Sequence, residues 1–192
     1  MSSFVITGFN AFHGVPENPT ELLVNHIQSQ PNFFKTHHGR AELIPCIYKK
    51  AELWVDELLA TDPPDFLICF GVHGMSETIR IETLGKNYDD SQVPDNDGVV
   101  IENTPIIPNG PKTLPVTFPA TKICQAMQAA SLPVALSDSA GAFLCNHLLY
   151  YSLAAIERKN VPIRTGFIHV PAPEFVSLNE LVKAVEVCID CL

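Results

Sequence analysis

The chain has 192 residues, of which 46% are hydrophobic and only 17% charged, and its formal net charge is −9. A chain of this length and composition buries roughly 70% of its unfolded surface and needs no disulfide or metal to hold a core, which excludes a disordered segment and a charged coiled coil. The acidic balance, with no basic run longer than Lys49-Lys50, argues against nucleic acid and anionic membrane as partners.

One domain covering residues 1–192 is expected. The N-terminus has no basic segment followed by a long apolar block and reads as a first strand at 4–7, not as a signal peptide. No apolar stretch approaches the length of about 18 residues that a membrane span needs, so a cytoplasmic protein is expected. Asn18-Pro19-Thr20-Glu21 supplies a cap and a first-turn proline for a helix that continues through Leu22, Leu23, His26 and Ile27. A strand at 41–46 and a helix at 49–59 follow, the helix with Leu53, Trp54 and Leu58 expected on its buried stripe. Further strands are predicted at 65–70, at Val134–Ser137 and at 165–170, and helices at 120–130, 142–159 and 177–191. Several strands are apolar on both faces, as strands covered on two sides are. The alternation predicts an α/β, three-layer αβα sandwich with a mostly parallel central sheet.

The stretch 78–117 breaks this rhythm. Six of the 16 prolines fall between Pro94 and Pro119, and Asp95-Asn96-Asp97-Gly98 and Pro108-Asn109-Gly110-Pro111 are turn signals. Antiparallel hairpins or an ordered loop are expected here, inserted at one edge of the sheet.

Neither a G-x-G-x-x-G nor a G-x-x-x-x-G-K-[ST] segment occurs, so nucleotide dependence is not expected. The seven histidines show no H-E-x-x-H spacing, and no metal or other cofactor is expected. Six cysteines lie mostly in apolar runs, where a thiol acts as a small hydrophobe. Cys188 and Cys191 form a C-x-x-C, but at a helix end and without a second ligand pair, which leaves them without an assigned role.

Cys145 is different. The small residues from Ser137 to Ala142 join a short strand to a long helix, and Cys145 falls at the start of that helix, where free N–H groups favour a thiolate. A buried structural cysteine is the plainer alternative. A thiolate nucleophile needs a base. His147, two residues on, points about 200° away around the helix. His169 ends the last strand, at the sheet edge where α/β ligands bind. Glu77, Glu82, Asp89 and Asp90 are carboxylates able to orient that base, and spacing does not choose among them. No G-x-S-x-G or cysteine counterpart occurs, which counts against a nucleophile-elbow hydrolase or transferase. A non-hydrolytic binding protein would have no need of a nucleophile, a base and an orienting acid together.

Four segments make the chain resemble the pyroglutamyl-peptidase I family of cysteine peptidases. They are Thr7-Gly8-Phe9-Asn10-Ala11-Phe12 with Asn18-Pro19-Thr20; Ile81-Glu82-Thr83 through Asn87, Asp89-Asp90 and Pro94-Asp95-Asn96; Ser139-Ala140-Gly141-Ala142-Phe143-Leu144-Cys145-Asn146-His147-Leu148; and Gly166-Phe167-Ile168-His169-Val170-Pro171. The resemblance implies a phosphorylase/hydrolase-like fold and a cysteine exopeptidase that releases N-terminal pyroglutamate from peptides. It also implies Cys145 as nucleophile, His169 as base and Glu82 as the orienting acid. Phe9, Phe12, Val93 and Phe143 would hold the pyrrolidone ring, and a homo-oligomer, dimer or tetramer, is a possible assembly. Three positions depart from the family pattern. Ser91-Gln92 replaces Ala-Arg, so Gln92 stands where the family has an arginine assigned to the oxyanion region. Gly71-Val72-His73-Gly74-Met75-Ser76 replaces G-Q-A-G-G-R. Ala11 replaces a proline.

Overall fold

The structure, a computed structural model, describes residues 2–34 and 37–192. In chain order the elements are β1 (Ser3–Phe9), α1 (Pro19–Ser29), β2 (His38–Ile44), α2 (Tyr48–Thr61), β3 (Phe66–Val72), β4 (Ile79–Glu82), β5 (Leu84–Lys86), β6 (Asp89–Ser91) and β7 (Ile101–Thr104). They continue with β8 (Thr113–Pro115), α3 (Ala120–Ala129), β9 (Val134–Ser137), α4 (Leu144–Lys159), β10 (Arg164–Val170) and α5 (Leu178–Asp190).

The central sheet has six strands in the order β2-β1-β3-β10-β4-β9. All neighbours are parallel except β10 and β4. Strand periodicity divides the core in two. Phe4, Ile6, Phe66, Ile68, Phe70, Ile168 and Val170 pack with α1, α3 and α5. Val5, Phe9, Leu67, Cys69 and Phe167 point to the opposite face and pack with α2 and α4. That is the expected three-layer sandwich.

Helix starts follow local chemistry. Asn18 Oδ1 accepts from the Thr20 N–H at 3.0 Å, and Pro19 occupies the first turn of α1. Ser177 and Glu180 form a reciprocal capping box on α5. No helix among the described residues is long and apolar enough to cross a membrane.

Two expectations need correction. On α2 the buried residues are Tyr48, Ala51, Val55, Leu58 and Leu59, while Leu53 is 54% exposed and Trp54 half-buried. Leu58 is buried as expected, but the stripe runs through Tyr48, Ala51, Val55 and Leu59 rather than through Leu53 and Trp54. The irregular stretch is also more than an edge insertion. It supplies β4 to the interior of the sheet, between β10 and β9, and only the two-stranded pairs β5–β8 and β6–β7 lie outside it. Consequently β9, the strand before α4, is separated from β10 by β4, and the segment 138–143 carries the chain back toward β10.

Candidate active site

The sheet's pleat brings the site together. Cys69 and Gly71 of β3, Phe167 and His169 of β10, and Arg80 and Glu82 of β4 are spaced by two. Cys69 and Phe167 belong to the layer beneath α2 and α4, so all six side-chain positions face that layer. His169 pairs in register with Gly71 on one side and with Arg80 on the other.

Helix α4 approaches this surface with its N-terminus. Gly141, at φ +81°, turns the chain in a conformation that other residues rarely adopt. Phe143 is the N-cap residue, and no side chain caps the helix, which leaves first-turn N–H groups available. The Cys145 sulfur lies against β3: a Cβ built on Gly71 would be 2.8 Å from it. Gly71 therefore makes room for the sulfur beside the strand that carries His169.

His169 Nδ1 and Glu82 Oε1 are 2.8 Å apart, and both residues are buried. Burial pushes the Glu82 carboxyl up. The hydrogen bond of His169, with the neighbouring Ser137 hydroxyl and the charge of Arg80, outweighs it and holds Glu82 below the usual carboxylate range. This places a proton on Nδ1 and leaves Nε2 as the basic nitrogen. Cys145 departs from expectation. Burial, with the neighbouring Cys46, Glu82 and Cys69, pushes its thiol up, and only a backbone hydrogen bond acts the other way. The helix terminus alone does not make a resting thiolate here, so a base is needed to take the thiol proton.

An aromatic cluster lies beside the nucleophile. Phe12 and Phe143, both half-buried, have ring centroids 6.0 Å apart, and Tyr48 meets Phe143 edge-on at 5.7 Å. Hydrogen bonds fix this wall. Asn10 Oδ1 accepts from the Cys46 N–H at 2.9 Å, Asn96 Nδ2 donates to the Ala11 carbonyl at 3.0 Å, and Asp95 Oδ2 accepts from the Tyr48 N–H at 3.1 Å. Phe9 is fully buried in the core behind it. Val93 is 39% exposed. Gln92 is exposed, and its amide donates to Glu102 Oε1 at 2.6 Å across the β6–β7 pair.

Several contributors escape sequence reasoning. Tyr48 is one. Asn146 and His147 are others: Asn146 clamps the chain at Lys86 and Tyr88 through three hydrogen bonds, and His147 Nδ1 sits 2.7 Å from the buried Asp89. His147 is thus engaged away from Cys145. Their position directly after Cys145 is the only available signal, since their partners lie 58–60 residues away. Among the described residues no group of three or more His, Cys, Asp or Glu is placed to hold a metal ion.

Comparison with known proteins identifies the family. The family model described as pyroglutamyl peptidase matches residues 2–190. A pyrrolidone-carboxylate peptidase of Streptococcus suis is 34% identical over 202 residues, covering 98% of this chain and 91% of that protein. One from Pyrococcus furiosus is 34% identical over 167 residues, covering 87% and 79%. Among solved structures, pyroglutamyl peptidase I of Bacillus amyloliquefaciens superposes with a TM-score of 0.92 at 28% identity, covering 100% of this chain and 96% of that one. A mutant pyrrolidone carboxyl peptidase from P. furiosus gives 0.90 at 30% identity, covering 98% and 96%. With a family model matched from residue 2 to residue 190, the chain belongs to the pyroglutamyl peptidase family.

Proposed function

We propose that Cys145, His169 and Glu82 are the catalytic set of this chain, and that Phe12 and Phe143 wall the slot for its substrate. The chain is a cysteine peptidase that removes N-terminal pyroglutamate, as its family does. The observation that carries the residue assignment is the buried Glu82–His169 hydrogen bond one strand away from the Cys145 sulfur.

The reaction follows from that placement. His169 Nε2 takes the proton of the Cys145 thiol as sulfur attacks the pyroglutamyl carbonyl carbon, and Glu82 stabilises the imidazolium that forms. The uncapped first turn of α4 offers N–H groups to the developing oxyanion. Gln92 is committed to Glu102, so the backbone takes the role that the resemblance gives to the family's arginine. The imidazolium then protonates the leaving amine. Water, activated by the same imidazole, hydrolyses the thioester and releases pyroglutamate.

Selectivity follows from the aromatic wall. The lactam is neutral and fits between apolar rings, whereas a free N-terminal ammonium would be desolvated there without a partner. Release of amine from a fluorogenic pyroglutamyl amide tests the reading. Turnover by the native chain, its loss in Cys145→Ala, and no turnover of the matching free-amino proline amide are expected. Activity that persists in Cys145→Ala would overturn the assignment.

A further inference from the structure

We propose that Arg80 is a positioning residue of this site: its guanidinium holds the Glu82 carboxylate and the segment leading to Cys145 together, and keeps His169 available as a base. This rests on the catalytic assignment above.

Arg80 lies on β4 directly across from His169, on the face that looks toward α4. Its Nη2 donates to the Ser137 hydroxyl at 2.7 Å and reaches the Ser139 carbonyl at 3.5 Å. Its Nε is buried and makes no hydrogen bond; the nearest anion is Glu82 Oε1 at 3.6 Å. That oxygen is the one that His169 Nδ1 contacts. One side chain therefore touches the acid that orients the base, the end of β9, and the segment that carries the chain to the nucleophile.

The electrostatic consequence concerns the proton on His169. Glu82 is fully buried. A buried carboxylate whose sole neighbour is an imidazole draws a second proton onto the ring, and a protonated ring is no base. A permanent cation beside the carboxylate weakens that pull, because the guanidinium does not titrate in the working range. The other titratable groups around the pair do not supply this charge. His73, whose ring meets His169 edge-on at 5.5 Å, is held below its ordinary value by burial, by His169 and by Arg80. Cys145 on α4 stays a neutral thiol, and Asp138 after β9 lines the same surface hollow as Arg80 but is an anion. Arg80 is the cation of the set. It lies outside the segments that carry the family resemblance, in which Glu82 is the first carboxylate.

The test compares Arg80→Met and Arg80→Lys with the native chain, reading melting temperature, the pH dependence of kcat/KM on a pyroglutamyl amide, and the pH dependence of iodoacetamide labelling at Cys145. Removing a unit charge a few ångströms from the pair moves the acid limb of kcat/KM to higher pH by about one unit in Arg80→Met. The plateau falls by roughly tenfold as the nucleophile segment loses its tie. Arg80→Lys keeps the charge and returns the limb to within a few tenths of a unit of native, with only part of the plateau restored. A native acid limb in a folded Arg80→Met, or a limb displaced in Arg80→Lys as far as in Arg80→Met, overturns the proposal. If Arg80→Met does not fold, Arg80→Gln takes its place in the same comparison, and a native acid limb in folded Arg80→Gln overturns the proposal. Cys145→Ala, run in parallel, separates the two claims: its residual activity would defeat the catalytic assignment whatever Arg80 does.

Discussion

Replacing Gly71 by alanine places a methyl group where the nucleophile sits. The added Cβ would lie 2.8 Å from Cys145 Sγ, 2.7 Å from Phe167 Cζ and 3.0 Å from Phe167 Cε1. Ordinary non-bonded contacts lie at about 3.5–4.0 Å, so both the sulfur and the Phe167 ring must retreat by about 1 Å. Phe167 is fully buried in the layer beneath α2 and α4, whereas Cys145 is half-buried at the start of a helix. The sulfur, at the less buried of the two residues, is displaced along with the ring. A displacement of about 1 Å at a reacting atom costs roughly 100-fold in rate. Overpacking of this kind destabilises by about 1–3 kcal/mol, which for a chain of this size lowers Tm by about 2–12 °C. The assay is kcat/KM on a fluorogenic pyroglutamyl amide, well below the variant's Tm, with iodoacetamide labelling of Cys145 as a check that the thiol is still present. A roughly 100-fold loss with a labelled thiol is expected. Native kcat/KM in Gly71→Ala, with or without a lower Tm, would refute the contact between Gly71 and the reacting sulfur.

The aromatic wall and the second buried histidine give further outcomes. Phe12→Ala and Phe143→Ala should each lower kcat/KM by about 1–3 kcal/mol, or roughly 10- to 200-fold. Phe9→Ala, a core truncation, should instead cost about 3–5 kcal/mol of stability; reversed outcomes would exchange slot and core. Asp89→Asn tests the His147 pair through stability. Burial alone would lower His147, but the Asp89 and Glu52 carboxylates outweigh it and raise its pKa above the ordinary value. A raised folded-state value contributes stability that is fully present below the unfolded value of about 6.5 and is lost as pH rises through the folded one. The Tm difference between native chain and Asp89→Asn should therefore be largest at acidic pH and shrink on the alkaline side. A gap that widens with pH would contradict the pairing.

What the sequence revealed and what it hid have physical causes. The strands β1, β3 and β10 are buried on both faces along most of their length, and their short apolar runs are legible at once. Cys145 and His169 stand out because one opens a long helix and the other ends a strand, two positions that can meet at the carboxyl edge of such a sheet. β4 was hidden: its Ile79-Arg80-Ile81-Glu82 alternates over only four residues, inside a stretch dominated by proline and turn signals. With β4 unseen, nothing local could single out Glu82, and it was the family resemblance that did so. Arg80 was lost with it. Asp89–His147 and Asn146–Lys86 close across 58 and 60 residues, distances over which no spacing rule operates. The thiolate expectation failed for a different reason. The helix terminus was visible in sequence, but the burial and the neighbouring Glu82 that outweigh it were not.

The central claim is that Cys145 carries the pyroglutamyl group as a thioester. Rapid acid quench of the native chain with a pyroglutamyl ester, followed by peptide mass spectrometry, tests it most directly. A pyroglutamyl adduct on the peptide containing Cys145, absent in Cys145→Ala and absent from the peptides of the other five cysteines, is the expected result. Pyroglutamate released in a burst with no adduct at Cys145, or with the adduct on another residue, would contradict it.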